Sequence, residues 1–340
     1  MNFDLFPPRL DDRDARINRL GDPLILLSRT IDWESFRPLL MKVHAKNNRK
    51  SNAGRRPRDV VMLFKGLVLK QVYSLSDEQL EYQLEDRRSF QRFVGLKASE
   101  RAPDAKTFWD FDNQLSELKL SEALFRSFSQ QLQAAGYRAR GGQMMDASIV
   151  KAPIQHNGRE ENDQIKQGKV PEGWSKAKQR QKDTDARWTK KNNRCFFGYK
   201  NHINADKKHK LIRQYEVTPA NTGDSLMFDQ LLDDGNTSKD CWADAAYYKE
   251  DREADLKRQG YRSHINRKGQ RNKPLCQRQQ KANRTRSKVR SRVEHVFGSQ
   301  HQMGKCVRGI GLARAVSRIG LMNLVYNMKR FVFLQGSCAS

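Results

Sequence analysis

From Ile31 to about Gln133 apolar residues recur every three or four positions, with polar residues filling the gaps. Val60, Val61, Phe64, Leu67 and Val68 make one such stripe, and Leu80 with Leu84 and Leu115 with Leu118 make others. That period lines up apolar side chains on one side of an α-helix, so this half of the chain is predicted to be all-helical. Local start signals agree. Ser76 followed three positions later by Gln79 has the form of a capping box, and Pro103-Asp104 opens the helix that carries Phe108, Trp109 and Phe111.

After Gly141-Gly142 the texture changes to short strand-like runs, Gln143 to Val150, Gly198 to Ala205, Leu211 to Val217 and Asp240 to Ala243, separated by polar turns and helix-like stretches. The mixture predicts an α+β or α/β domain. Between the first two runs, Gln155 to Arg194 has almost no aliphatics but many Lys, Arg and Gln, and is predicted to be a basic, mobile insertion without a core of its own. An alternative is an arm that orders on DNA, with Trp174 and Trp188 stacking on bases or ribose. Ile319 to Leu334 is apolar, yet Lys329 and Arg330 interrupt it, so a buried helix is expected rather than a membrane span.

Charge narrows the partner. Lysine and arginine outnumber aspartate and glutamate by 65 to 39, a formal net charge of +26, which favours a polyanion. The basic residues are spread along most of the chain rather than gathered beside an apolar segment, so nucleic acid is expected and a membrane is not. Met1 to Arg19 has no apolar run, so neither export nor organelle import is expected. The 5 cysteines lie tens of residues apart and the 7 histidines are scattered, which argues against a disulfide framework and a zinc site. Gly54-Arg55-Arg56-Pro57-Arg58 forms a stiff basic loop suited to phosphates. A second basic run, Arg262 to Arg292, has an ordinary reading as a solvated face, but its density of one sign calls for a partner.

Three acids stand where acids are hard to justify locally. Asp146 lies inside Met144-Met145-Asp146-Ala147-Ser148-Ile149-Val150, a strand pattern that disfavours aspartate; its ordinary reading is a residue on the solvent face of an edge strand. Asp244 follows Cys241-Trp242-Ala243 at a strand end, where open α/β sheets place their ligands, although an N-cap is the competing reading. Glu294 borders the helical stripe of Val289, Val293, Val296 and Phe297, and an ion pair with Arg290 worth about 0.3–0.5 kcal/mol is the alternative there. Phosphodiester chemistry at neutral pH needs an activated nucleophile and a stabilised leaving oxygen. Carboxylates around hard divalent cations supply both, and a strand acid, a strand-end acid and a helix acid make such a set.

Around these acids the sequence resembles the DDE transposases of bacterial insertion sequences, in particular the IS-five-like group. The matching pieces are Met145-Asp146-Ala147-Ser148-Ile149-Val150, Phe197-Gly198-Tyr199-Lys200-Asn201-His202, Pro219-Ala220-Asn221-Thr222-Gly223-Asp224, Ala243-Asp244-Ala245-Ala246-Tyr247 and Arg290-Ser291-Arg292-Val293-Glu294-His295-Val296-Phe297. Their order and spacing carry the resemblance from about Gly54 to Leu334. The related signature sets tyrosine, arginine, glutamate and lysine along its last catalytic helix; here Ser287 takes the tyrosine position, Arg290 and Glu294 match, His301 takes the lysine position, and Lys305 lies one turn further.

The resemblance implies an RNase-H-like fold, a five-stranded mixed sheet flanked by helices and preceded by an all-helical N-terminal DNA-binding domain. The expected boundaries are 1–138 for that domain, 139–302 for the catalytic domain with its insertion at about 155–194, and 303–340 for a C-terminal helix packed on it. Asp146, Asp244 and Glu294 would hold two Mg²⁺ ions, with Mn²⁺ able to substitute, for cleavage at element ends and strand transfer into a target. Arg55, Arg56, Arg58, Lys200, His202, Arg286, Arg290, Arg292, His301 and Lys305 are the expected DNA contacts. The expected partners are double-stranded DNA, as terminal inverted repeats and target, and a second copy of the chain on that DNA, in the cytoplasm and nucleoid of a bacterium. The rival functions are a metal-dependent nuclease that does not rejoin DNA and a nonenzymatic DNA-binding protein derived from a transposase.

Overall fold

The Val60 stripe becomes the helix Val60–Val72, which Asp59 caps: its carboxylate accepts from the backbone N–H groups of Val61 and Met62 at 3.0 Å each. These are two of the donors that every helix start leaves open. Val60, Val61, Phe64, Leu67 and Val68 are all buried. The structure, a computed structural model, describes residues 10–46, 57–97, 99–269 and 274–338. The capping box forms as the sequence predicts: Ser76 Oγ accepts from the Gln79 N–H at 3.1 Å, and Gln79 Oε1 accepts from the Ser76 N–H at 2.9 Å, opening the helix Asp77–Asp86. Asp104 accepts from the Thr107 N–H at 2.7 Å as the helix Ala105–Glu117 begins. Residues 1–114 with 331–340 form one compact unit. Its aromatic centre brings Phe36 to Phe64 and Trp33 to Phe93 at ring-centroid distances of 5.1 Å and 5.4 Å.

Residues 115–330 form the second unit. It holds the strands β1 (Gln143–Lys151), β2 (Arg187–Lys191), β3 (Arg194–Asp206), β4 (Ile212–Pro219), β5 (Asp240–Trp242) and β6 (Arg262–Ser263). β1 is antiparallel to β3 and β3 to β4, whereas β1 is parallel to β5 and β5 to β6. The order β4-β3-β1-β5-β6 is a five-stranded mixed sheet, and β2 is an addition that pairs with the first residues of β3 while β4 takes the rest. One side of the sheet rests on a cluster that joins Met145 of β1 and Cys241 of β5 to Phe228, Leu231, Tyr247 and Leu256.

On the other side buried amides fasten the helices. Asn201 of β3 donates to Asn323 Oδ1 at 2.8 Å, Asn323 donates back to Asn201 Oδ1 at 3.0 Å, and Gln300 donates to Asn323 Oδ1 at 2.7 Å. All three are fully enclosed. They bind the helix Glu294–Gln302 and the final helix, Leu312–Cys338, to the centre of the sheet. Asn327, one turn beyond Asn323, makes a two-way bond with the Ile212 backbone at 2.9 Å and 2.8 Å. Among the described residues no helix is long and apolar enough to cross a membrane.

Gln155 to Arg194 differs from its expected character. It contains the helices Arg159–Lys166 and Lys176–Gln181 as well as β2. Polar anchors replace the missing aliphatics: the Glu161 carboxylate accepts from Trp174 Nε1 at 2.6 Å and from Lys178 Nζ at 2.7 Å, and the buried Tyr199 hydroxyl donates to Asp183 at 2.7 Å. Trp174 is therefore buried and closed to base stacking, while Trp188 stays exposed beside Phe197 at a ring distance of 5.3 Å.

The strand pair at the centre of the sheet also explains a glycine. Gly198 in β3 has φ +148°, and a Cβ there would lie 2.2 Å from the Val150 carbonyl oxygen of β1. Backbone cannot yield as a flexible side chain can. Gly198→Ala is expected to lower stability by about 1–3 kcal/mol, read as a lower denaturation midpoint in urea; an unchanged midpoint would show that β1 and β3 do not approach in this way.

Candidate active site

Parallel pairing of β1 with β5 aligns Gln143 with Cys241 and Met144 with Trp242. The same offset carried two residues further sets Asp146 beside Asp244, just past the end of β5. Paired parallel strands lie about 4.7–4.9 Å apart, so an acid on β1 and one just beyond the end of β5 come near each other. The two acids feel each other: the charge of Asp244 is one of the influences raising the Asp146 pKa. Asp244 also caps the short turn Ala245–Tyr247 by accepting from the Ala246 N–H at 3.1 Å. Asp244 is thus an N-cap at the end of a strand.

Asp146 is the enclosed member, its side chain only 16 % exposed. Burial is the largest influence on its carboxyl and pushes the pKa upward; the Arg290 guanidinium and a 2.8 Å bond from the Ala147 N–H pull it back. Arg290 Nη1 is ion-paired with Asp146 Oδ2. That pairing brings the end of the helix Gln277–Arg290 onto β1, and it differs from the alternative ion pair of Arg290 with Glu294. Two polar groups nearby have no hydrogen-bond partner within the protein: Arg290 Nε and the Tyr247 hydroxyl. Tyr247 is fully buried, and burial first, then the charges of Asp224, Asp146 and Asp244, hold it protonated far above the usual phenol range. Buried polar groups are rarely left unanswered unless something else is meant to reach them.

Glu294 opens the helix Glu294–Gln302, one turn past Arg290, and is exposed. Among the described residues no three carboxylate, imidazole or thiol groups stand close enough to hold a metal ion together. The structure thus brings Asp146 and Asp244 together and leaves Glu294 on the adjacent helix, outside a closed triad. The oxygen donors of the aspartate pair suit a hard divalent cation.

The expected DNA contacts divide. Lys200 donates to the Thr222 carbonyl at 2.7 Å and to Asp224 at 2.8 Å. His202 is wholly enclosed with Nε2 2.8 Å from Thr218 Oγ1, and burial, opposed by Asp224, lowers its pKa to about 4. Both side chains secure the turn after β4, and they lie on the sheet face opposite Asp146, because Asp146 pairs with Ile203 and alternate residues of β3 face away. Arg286 donates to the Ile265 carbonyl at 2.8 Å and Arg58 to the Arg101 carbonyl at 2.6 Å. Arg292 and His301 are exposed, and Arg55 and Arg56 lie outside the described residues.

Lys305 reaches the acids from another direction. Its Nζ donates to Ser148 Oγ, two residues along β1 from Asp146, and lies 5.2 Å from the centre of the Phe297 ring. Burial, and then Lys191, lower its pKa to about 8 against the pull of Asp146. Ser287, at the position where the resemblance has tyrosine, accepts from Asn266 Nδ2 at 2.9 Å.

Residues 11–114 match a family model described as "Transposase domain (DUF772)", and residues 138–328 match one described as "Transposase DDE domain". The chain belongs to the DDE transposase family. A solved cryo-EM structure, the piggyBac transposase synaptic complex with hairpin DNA, aligns over 94% of this chain and 76% of that one with a TM-score of 0.52 at 11% identity. That likeness concerns the fold, and it agrees with the strand order in identifying an RNase-H-like mixed sheet flanked by helices, with helices before it.

For this transposase the Asp146–Arg290 pair has a testable pH signature. The folded-state pKa of Asp146 lies above its unfolded value, so its contribution is fully present below the unfolded carboxylate range and is lost as pH rises through the folded value. Arg290→Gln removes the main opposing charge and moves that value higher still. The variant is expected to lose about 1.5–3 kcal/mol of stability at neutral pH and much less below roughly pH 4, measured by urea unfolding at both. A deficit of equal size at the two pH values would mean that Arg290 does not neutralise Asp146.

Proposed function

We propose that this transposase, a member of the IS-five-like subgroup, cleaves DNA at the ends of its own element and joins them to target DNA, using Asp146, Asp244 and Glu294. What carries the reading is a desolvated aspartate on β1 that feels the charge of a second aspartate just past the end of the parallel strand β5, in a chain of net charge +26. Divalent cations, Mg²⁺ or Mn²⁺, when bound by such carboxylates make water more acidic and stabilise charge on a leaving oxygen. Asp146 and Asp244 supply the strand oxygens and Glu294 the oxygen from the following helix. Arg290, one turn before Glu294, carries a positive charge that can pass from Asp146 to a phosphate. The hydrolytic step breaks the bond from phosphorus to the 3′ oxygen, leaving a 3′-hydroxyl and a 5′-phosphate. The 3′-hydroxyl then attacks a target phosphodiester and expels a new 3′-hydroxyl, so no protein nucleophile is needed. Joining two ends calls for two copies of the chain on double-stranded DNA carrying the terminal inverted repeats, and the expected setting is the bacterial cytoplasm and nucleoid.

The decisive experiment is Mg²⁺-dependent cleavage and strand transfer on DNA bearing the element's ends, with wild type beside Asp146→Asn, Asp244→Asn and Glu294→Gln. Each variant is expected to bind DNA and to lose at least about 100-fold in cleavage rate, the scale of losing a principal charge-stabilising group. Cut but unjoined wild-type product would favour the nuclease reading. DNA binding by an inert wild type would favour a nonenzymatic DNA-binding protein. Normal cleavage by Glu294→Gln alone would remove Glu294 from the site.

A further inference from the structure

β2 and β3 are joined by only two residues, Asn192 and Asn193, both with positive φ at 51° and 61°. Lys191 and Arg194 are paired across this turn. Consecutive left-handed residues give the tight, twisted hairpin that short loops favour, and asparagine tolerates that conformation better than most residues. Its tip is therefore a stiff basic finger rather than a wandering loop. Between this tip and the end of β1 lies a cavity of about 490 Å³, lined by Ser148, Lys151, Lys191, Asn192, Arg194 and Phe196 among others. The size is within the range of about 300–1,000 Å³ usual for small-molecule pockets.

Three features give the cavity a chemical character. Lys191, Arg194 and Lys151 are exposed cations at its rim. Phe196 presents a ring that already attracts a cation, with Lys151 Nζ 5.6 Å from its centre. Ser148 ties the cavity to the acids, since it is two residues from Asp146 on the same face of β1 and holds Lys305 Nζ. Cations arranged about an aromatic ring match a nucleotide, with phosphates to the basic groups and the base to the ring.

We infer that this cavity seats a nucleotide of the DNA strand flanking the scissile phosphate, with Lys191 and Arg194 on its phosphates and Phe196 against its base. The inference deepens the transposase reading and rests on it for the identity of the strand. Lys200 and His202 are already held by Thr222, Asp224 and Thr218, whereas Lys191 and Arg194 are exposed.

The test uses the full chain and two fluorescent duplexes, one of mixed sequence and one ending in the element's own end with 2-aminopurine at the last nucleotide. Lys191→Ala with Arg194→Ala is expected to reduce the slope of log Kd against log salt by about 0.9 per lost phosphate contact. Lys191→Arg is expected to keep the wild-type slope. Phe196→Leu is expected to weaken binding about 5- to 100-fold and to abolish the quenching of 2-aminopurine. Both cations are exposed, so the alanine variants should melt with the wild type, and matching melting curves will separate contact loss from misfolding. If wild type cuts DNA while the pocket variants bind and cut as wild type does, the cavity has no such role and the transposase reading stands. If the pocket variants lose slope and quenching while wild type never cuts, the nucleotide seat stands and the catalytic reading falls. An unchanged slope together with unchanged quenching overturns the inference whatever the cleavage result.

Discussion

A carboxylate placed in the middle of a sheet and taken out of water must be answered by a positive charge, and much of this catalytic unit is arranged around that demand at Asp146. Its partner comes from the helix Gln277–Arg290, a segment with no buried residue of its own. A helix so polar cannot dock through an apolar stripe, and the ion pair at its last residue helps to hold it against β1. Breaking such a pair from one side leaves an uncompensated charge, and the cost of that exceeds what the pair gains when intact. The helix that brings Glu294 is thus positioned through Asp146 at one end and through the Asn201–Gln300–Asn323 amides at the other. Each of those enclosed amides would cost about 1–3 kcal/mol if left unpaired, so the network specifies one docking and penalises neighbouring ones.

The same constraint links stability to function. Asp146 is raised by burial and by Asp244 and lowered by Arg290, so in the absence of other cations its charge is maintained mainly by the guanidinium. Asp146 and Asp244 are the residues that would hold a divalent cation, whose charge would answer Asp146 alongside Arg290. The Tyr247 hydroxyl, buried among three acidic charges without an acceptor of its own, belongs to the same economy of charge.

How much of this was legible in the sequence depends on which physical signal each residue leaves. The helical half was readable because Val60, Phe64 and Leu67 repeat at the helical period and because Asp104 and the Ser76–Gln79 box sit at real helix starts. The four predicted strands were readable as short strand-like runs between polar turns. The segment from Gln155 to Arg194 was not, because its order rests on Glu161, Trp174 and Asp183, which pair through hydrogen bonds and leave no hydrophobic period. The turn at Asn192-Asn193 did leave a signal, two residues tolerant of positive φ between short runs, but it is weak beside so much surrounding charge. The placement of Lys200 and His202 leaves a different kind of signal. Composition names the strand, while only the pairing of Asp146 with Ile203 says which residues of β3 share its face, and a shift of one residue reverses the answer.

That distinction bears on the whole basic surface. The net charge of +26 concerns attraction to a polyanion at long range, and it is indifferent to which lysine touches which phosphate. Lys200 shows a cation consumed by the fold, since Thr222 and Asp224 occupy its donors. Lys191 shows the opposite: it remains exposed, and its charge is felt both by Asp146 and by Lys305. A cation that acts on the acids from an exposed hairpin can meet the phosphate of a bound strand without first giving up a structural bond. The useful measure of a basic residue in this transposase is therefore whether the fold has already claimed its donors, and by that measure the β2–β3 tip is better placed to meet DNA than the strand interior that the sequence motif drew attention to.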